Sequence, residues 1–266
     1  MATRPQALRM TWFQHHERRV TITVNDPINS SNELGTPAQK YMRKGELTRA
    51  AILDVALDLA SRDGLEGLTI GLLADRMNMS KSGVFAHFGS REDLQIEVLK
   101  LYNHQFEQEV FYPSLKESRG LARLEAMFAR WIRRVTVEIA SGCIYISGAV
   151  EYDDRPGQIR EELVGMVRSW QEALLRCVGQ ARDMGHLRAD TDPEQMVFEM
   201  YGLVLALHHD ARFIKRPGSI ERAERGFERL LQSYINPSAF TSGDAPGAAS
   251  PTDAATSAAK HPARFT

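Results

Sequence analysis

From Glu46 to Tyr234, apolar residues recur at intervals of three and four along most of the chain. This is the period of a helix with one buried face. Ile52, Val55, Ala56 and Leu59 form the first stripe and predict a helix from about Glu46 to Arg62, ended by Gly64. Two short helices are predicted next. Thr69 opens the first, with Leu72, Leu73 and Met77 as its apolar face; Ser80 opens the second, with Val84 and Phe88 inward and Gly89 as its breaker. Hydroxyl side chains suit these openings because they accept from the unpaired N–H groups of a first turn. Asn78 stands where the chain must reverse, and Asn adopts the left-handed conformation readily. Ser90 and Asp93 have the spacing of a capping box. They start a longer helix that Phe111-Tyr112-Pro113 is expected to close, since proline disfavours helix before it.

Beyond Pro113 the same period predicts four more long helices and one short one. Leu121, Leu124, Phe128 and Trp131 mark residues 119–140, and 143–152 is a short apolar helix. Pro156 opens a long helix with the stripe Ile159, Leu163, Met166, Val167, Trp170, Leu174 and Cys177, stopped by Gly185. Asp192-Pro193-Glu194 reads as cap, first-turn proline and first-turn acid, and its helix runs to about Lys215. The last helix covers 219–235, with Ile220, Ala223, Phe227, Leu230 and Tyr234 inward. No strand pattern survives after residue 44. The fold class is therefore all-α: a three-helix head over 44–92 joined to a larger helical domain over 93–236. Residues 1–43 carry Pro5, Pro27 and Pro37, a weak alternation at Val20–Val24, and seven basic residues against three acids through Lys44. They are expected to be a disordered basic extension, and Met42 offers an alternative start. The Ala-, Ser- and Pro-rich residues 237–266 are expected to be a disordered tail.

Two short helices joined by a tight turn can set the second in a DNA major groove. Ser80, Lys81, Ser82 and Gly83 lie at its start, the end that meets base edges and phosphates. Lys81 can donate to guanine or phosphate, and the small Ser82 and Gly83 allow close approach. Phe85 can pack on a sugar or thymine methyl. His87, Thr69 and Arg91 are within reach of the phosphate backbone. The competing reading is that Thr69, Ser80 and Ser90 are caps only; a residue can do both.

The run TIGLLADRMNMSKSGVFAHFGSREDL, with Ala51-Ile52 to Ala60, Gly64 and Leu68 before it, resembles the DNA-binding domain of the TetR family of bacterial repressors over residues 46–101. Two departures stand out: Phe85 replaces the usual Tyr, removing a hydroxyl, and Asn78 replaces the usual Gly of the turn. The resemblance implies a homodimer on a palindromic operator, with a small-molecule inducer held between helices of the C-terminal domain. Candidate lining residues there are Phe128, Trp131, Tyr145, Glu151, Tyr152, Trp170, Tyr201 and His208; the bland alternative for each is ordinary core. The apolar stripes Met196–Val204 and Ile220–Tyr234 are expected to pair with their copies in a second chain.

Composition narrows the alternatives. The chain has 43% hydrophobic and 25% charged residues and a net charge of −1, which is unlike a protein that coats nucleic acid by bulk charge. Residues 44–91 balance six basic side chains against six acids, so DNA affinity must draw on backbone N–H groups, hydroxyls and helix starts. There is no apolar run long enough for a membrane span and no signal-like apolar segment at the start. Cys143 and Cys177 do not form a disulfide framework, and a reducing cytoplasm fits them. His208-His209-Asp210 invites a metal reading, but neighbouring helical side chains diverge by about 100°, and neither metal nor cofactor is expected. Nucleotide-loop and hydrolase motifs are absent. The rival to a DNA-binding regulator is a helical ligand-binding or catalytic protein with a vestigial head.

Overall fold

The computed structural model describes residues 37–240, with side-chain surroundings for residues 44–239. The basic extension through residue 36, with the Val20–Val24 alternation, and the tail beyond Phe240 lie outside the described residues. The chain divides at Lys44 into two units. The α-helices of the described residues are α1 (Pro37–Asp63), α2 (Ile70–Met77), α3 (Lys81–Phe88), α4 (Arg91–Phe106), α5 (Tyr112–Ser114), α6 (Leu121–Ser141), α7 (Ile144–Tyr152), α8 (Gln158–Asp183), α9 (Pro193–His208) and α10 (Ser219–Tyr234). Among the described residues the only extended pairing is one bridge, Leu187 to Ile235, so the fold is all-α as the periodicity requires.

Local sequence sets the helix ends of the head. Thr69 Oγ1 accepts from Leu72 N, Ser80 Oγ from Gly83 N, and Ser90 Oγ from Asp93 N while donating to the Asp93 carboxylate. Asn78 is left-handed, with φ 51° and ψ 42°. Asp192 caps α9 through Glu194 N and Gln195 N, with Pro193 in the first turn.

Two boundaries differ from expectation. α1 begins nine residues before Glu46, because a proline at a helix start needs no N–H partner and residues 38–44 contain good helix formers. Their polar character hid them from a search for apolar stripes. Pro113 does not close α4 either. The chain widens into a π-turn over Glu107–Phe111 and continues through α5. In a regular α-helix Pro113 would crowd the carbonyl four residues earlier; the π register relieves that contact.

Buried apolar side chains form two clusters. One gathers Ile52, Leu68, Leu73, Val84 and Leu94 of the head with Ile144 and Tyr152 of α7 and Ile159 and Leu163 of α8. The other fills the bundle of α6, α8, α9 and α10 around Trp131, Trp170 and Phe227. The junction between α6 and α7 touches the end of α1: a Cβ on Gly142 would fall 1.8 Å from the Ser61 carbonyl oxygen, and φ there is 105°. Only glycine can occupy that position without moving α1.

Candidate nucleic-acid interface and ligand-binding region

Burial of Val84 and Phe88 turns the opposite side of α3 outward. Lys81, Ser82 and Phe85 form its exposed stripe, and Phe85 is 53% exposed. An aromatic ring in water without a structural partner suits a surface made to be covered. The Lys81 side chain folds towards the start of α2. A Cβ on Gly71 would meet its Cε at 3.3 Å and its Nζ at 3.6 Å, with Thr69 Oγ1 at 3.9 Å. An ammonium, a cap hydroxyl and a helix N-terminus therefore converge, an arrangement with the chemistry to hold a phosphate.

The remaining head residues divide by task. Ser80 Oγ lies 3.1 Å from Ser82 Oγ, and Gly83 leaves room for that cap, since a Cβ there would stand 3.1 Å from Ser80 Oγ. His87 is half-buried, tilted against Phe88. Arg91 is already engaged: Nε donates to Leu68 O at 2.9 Å and Nη2 to Glu66 O. A phosphate contact by Arg91 must compete with these bonds, which tie α4 to the loop between α1 and α2.

The eight residues singled out as ligand-lining fall into two groups. Phe128, Trp131, Trp170 and Tyr201 join one aromatic chain: Trp131 meets Phe128, Trp170 and Tyr201 at 6.4, 5.6 and 4.7 Å between centroids. Phe106 extends the chain from Trp170 to Tyr145. Phe128 stacks on Phe227 at 3.8 Å and 10°. Trp170 Nε1 within this apolar mass, and His208 Nε2 at the end of α9, are buried without a hydrogen-bond partner among the described residues. Such groups normally find one. Burial, with Arg212 nearby, pulls the His208 pKa below its ordinary value.

Glu151 and Tyr152 belong elsewhere, at the head. Glu151 Oε2 accepts from Glu66 N at 3.0 Å, and Tyr152 OH donates to Glu66 Oε1 at 2.6 Å. Arg155 pairs with the same oxygen at 3.3 Å and lies over the Tyr152 ring. The Tyr152 hydrogen bond, with the Arg91 and Arg155 charges, holds the Glu66 carboxyl below its usual range. Glu66 and Arg155 had no local signal in the sequence, because their partners lie about 85 residues away. Beside Tyr152 a groove of about 310 Å³ runs between α7 and α8, and it is lined by Tyr145 and Tyr152 but by none of the other six candidates.

A buried polar group completes the region. Tyr102 OH donates to Glu138 Oε1 at 2.6 Å, Arg134 Nε donates to the same oxygen at 2.7 Å, and Cys143 Sγ sits 3.3 Å from Tyr102 OH. Burial, with the Glu138 charge, pushes the Cys143 thiol up to about 12, so it stays protonated at neutral pH and is a poor nucleophile. Among the described residues no three metal-ligating side chains assemble. His208 is half-buried and His209 is exposed.

The stripes expected to pair two chains need correction. Met196, Met200, Val204, Ala223, Phe227 and Leu231 are all buried within the chain's own bundle. Three neighbouring helices consume both stripes. On α9 the opposite face stays apolar and open: Phe198 is 74% and Leu205 49% exposed, with Gly202 between them.

A capped, two-helix reading unit with an outward α3, mounted on a helical bundle, defines a helix-turn-helix transcriptional regulator. Residues 52–98 match the family described as bacterial regulatory proteins, tetR family, and residues 120–227 match the tetracyclin repressor-like C-terminal domain. The chain belongs to the TetR family of transcriptional regulators, and is not an enzyme. It is 18% identical over 185 residues to the biofilm operon icaADBC HTH-type negative transcriptional regulator IcaR of Staphylococcus aureus, covering 70% of this chain and 95% of that one. Its fold is similar to a TetR transcriptional regulator from Chloroflexus aurantiacus (TM-score 0.67, 19% identity, 73% of this chain, 98% of that one). It is also similar to AibR, solved with isovaleryl coenzyme A and operator DNA (TM-score 0.53, 22% identity, 71% of this chain, 98% of that one). Among the described residues no helix is long and apolar enough to cross a membrane.

Proposed function

We propose that this protein is a cytoplasmic repressor that binds a palindromic operator as a homodimer and leaves it when a small molecule occupies its C-terminal domain. The observation that carries the DNA reading is the exposed stripe Lys81, Ser82 and Phe85 on α3, next to the Thr69–Lys81 convergence at the start of α2. In this reading Ser80, Gly83 and His87 support the approach to DNA, and Arg91 braces the head. Loss of the tyrosine hydroxyl at Phe85 removes one phosphate contact, while its ring remains available to a sugar or thymine methyl.

Repression is supported by the negative regulator IcaR among the relatives. Response to a small molecule is supported by AibR, solved in complex with isovaleryl coenzyme A and operator DNA. Dimerisation uses the outward face of α9 with α10 beside it. Two-fold pairing there sets the reading helices one DNA turn apart, about 34–36 Å.

The test is selection of bound DNA from a random library, followed by gel-shift titration. A palindromic consensus is expected. Phe198→Glu with Leu205→Glu should give folded monomers by light scattering that no longer hold the operator. A wild-type chain that is monomeric at micromolar concentration, or a library that yields no consensus, would refute the reading.

A further inference from the structure

Of the surfaces outside the head, the groove between α7 and α8 combines volume, unspent charge and a connection to the reading unit. Its floor is apolar: Gly148, Ala149, Leu163 and Val164. Gly148 brings the two helices together, since a Cβ there would already meet the Leu163 methyls at 3.1–3.2 Å. Its volume, about 310 Å³, lies at the small end of small-molecule sites, roughly 300–1,000 Å³. Arg160 and Arg168 stand two turns apart along its α8 wall. Arg160 Nε donates to the Asp153 carbonyl at 3.1 Å, whereas the Arg168 guanidinium makes no ion pair or hydrogen bond among the described residues. Asp153, the acid at the rim, accepts from Asp154 N. An apolar trough with an unspent guanidinium at its edge matches an apolar body with an anionic end.

The same groove reaches the head through Tyr152. The Tyr152 ring lines it, and the Tyr152 hydroxyl holds Glu66. Glu66 in turn receives Arg91 and Arg155, and its own N–H is held by Glu151. This loop lies three residues before the Thr69 cap of α2. A molecule pressing on the Tyr152 ring therefore acts on the contacts that seat the helix-turn-helix.

We propose that the α7–α8 groove is the effector site, that it takes a small amphiphile with one anionic head, the head at Arg168, and that Tyr152 is the positioning residue that passes occupancy to the DNA-reading head. This rests on the reading of the chain as an inducible DNA-binding regulator and names the site and ligand class for it.

The test uses the full chain with decanoate as probe and decanol as the uncharged control. Calorimetry should give one decanoate per chain, with decanol at least about tenfold weaker. Val164→Trp, which fills the trough, and Arg168→Glu, which reverses the rim charge, should each weaken decanoate by about tenfold or more while helicity and melting stay near wild type. Saturating decanoate should weaken binding to the selected operator by a factor in the range of about 5–150 usual for coupled sites. Tyr152→Phe, measured at its own saturating decanoate, should lose most of that factor, a result that weaker binding alone would not produce. No decanoate binding up to about 1 mM, or binding that survives both groove variants, overturns the site. Retained coupling in Tyr152→Phe overturns the role of Tyr152. Failure of the regulator reading would show differently: no operator affinity, with decanoate binding still abolished by Val164→Trp.

Discussion

The head and the bundle use polar side chains in opposite ways. In the head most polar groups are exposed and act over three or four residues: Thr69, Ser80 and Ser90 cap their own helices, and Arg62 pairs with Asp58 one turn away. The bundle also carries exposed local pairs, such as Arg176 with Glu172, but it buries polar groups as well. Tyr102, Arg134 and Glu138 share one carboxylate oxygen, and Trp170 and His208 each bury a nitrogen with no partner. The head is a reading surface whose parts are specified locally and are left open for DNA. The bundle is a low-dielectric interior in which a buried polar group must be matched or stand as a liability.

The contrast can be broken at its strongest point first. Arg134→Ala strips the guanidinium from Glu138, which is 3% exposed, and should destabilise the protein by about 3–5 kcal/mol, as for a buried pair that loses one partner. Arg62→Ala, at the exposed pair in the head, should change stability by less than about 1 kcal/mol. Chemical denaturation of the two variants side by side measures the difference; equal losses would erase the distinction between the regions.

Next is DNA affinity. Lys81→Ala should weaken operator binding by about 1–3 kcal/mol if the ammonium reads a base, or reduce the salt slope by about one if it holds a phosphate. Thermal stability should stay at wild type. A gel-shift titration at several salt concentrations reads both; no change in either removes Lys81 from the interface.

Smaller still is the cap. Ser80→Ala should cost about 1 kcal/mol of stability, because Gly83 N loses its acceptor. Ser80→Asp should restore the cap while placing a negative charge towards DNA, so folding recovers and operator binding does not. Recovery of both would make Ser80 a cap alone.

The smallest effect is a pH slope. Burial lowers the His208 pKa from its ordinary 6.5, so the unfolded chain takes up a proton more readily than the folded one. Stability is then full above about pH 6.5 and is lost as pH falls towards the lowered folded value. His208→Gln should flatten the melting temperature between pH 7 and 5 relative to wild type, and an unchanged slope would place the titration elsewhere. Glu66, held low by Tyr152, has the same sign at more acid pH: its contribution is present above the ordinary carboxylate value of 4.5 and disappears below it.

Helix type, most helix limits in the head, the three hydroxyl caps, the left-handed Asn78 and the outward side of α3 were legible in the sequence. Each depends on residues within one or two turns of one another, and local hydrogen bonds and the 3.6-residue period fix them. The apolar stripes of α9 and α10 were legible too, but not what covers them. A stripe says only that a face will be buried. Packing three helices around Phe128 and Phe227 consumed both within one chain and left Phe198 and Leu205 outside. The split of the eight aromatic and polar candidates was likewise undecided until the helices packed. Phe128, Trp131, Trp170 and Tyr201 met in one chain, while Glu151 and Tyr152 turned to Glu66 of the head. Those contacts join residues about 85 positions apart, and a sequence carries no periodic signal at that distance. They come from the crossing of α7 with α8 at Gly148, which sits against the Leu163 methyls, and from the approach of Gly142 to the Ser61 carbonyl of α1, too close for any side chain.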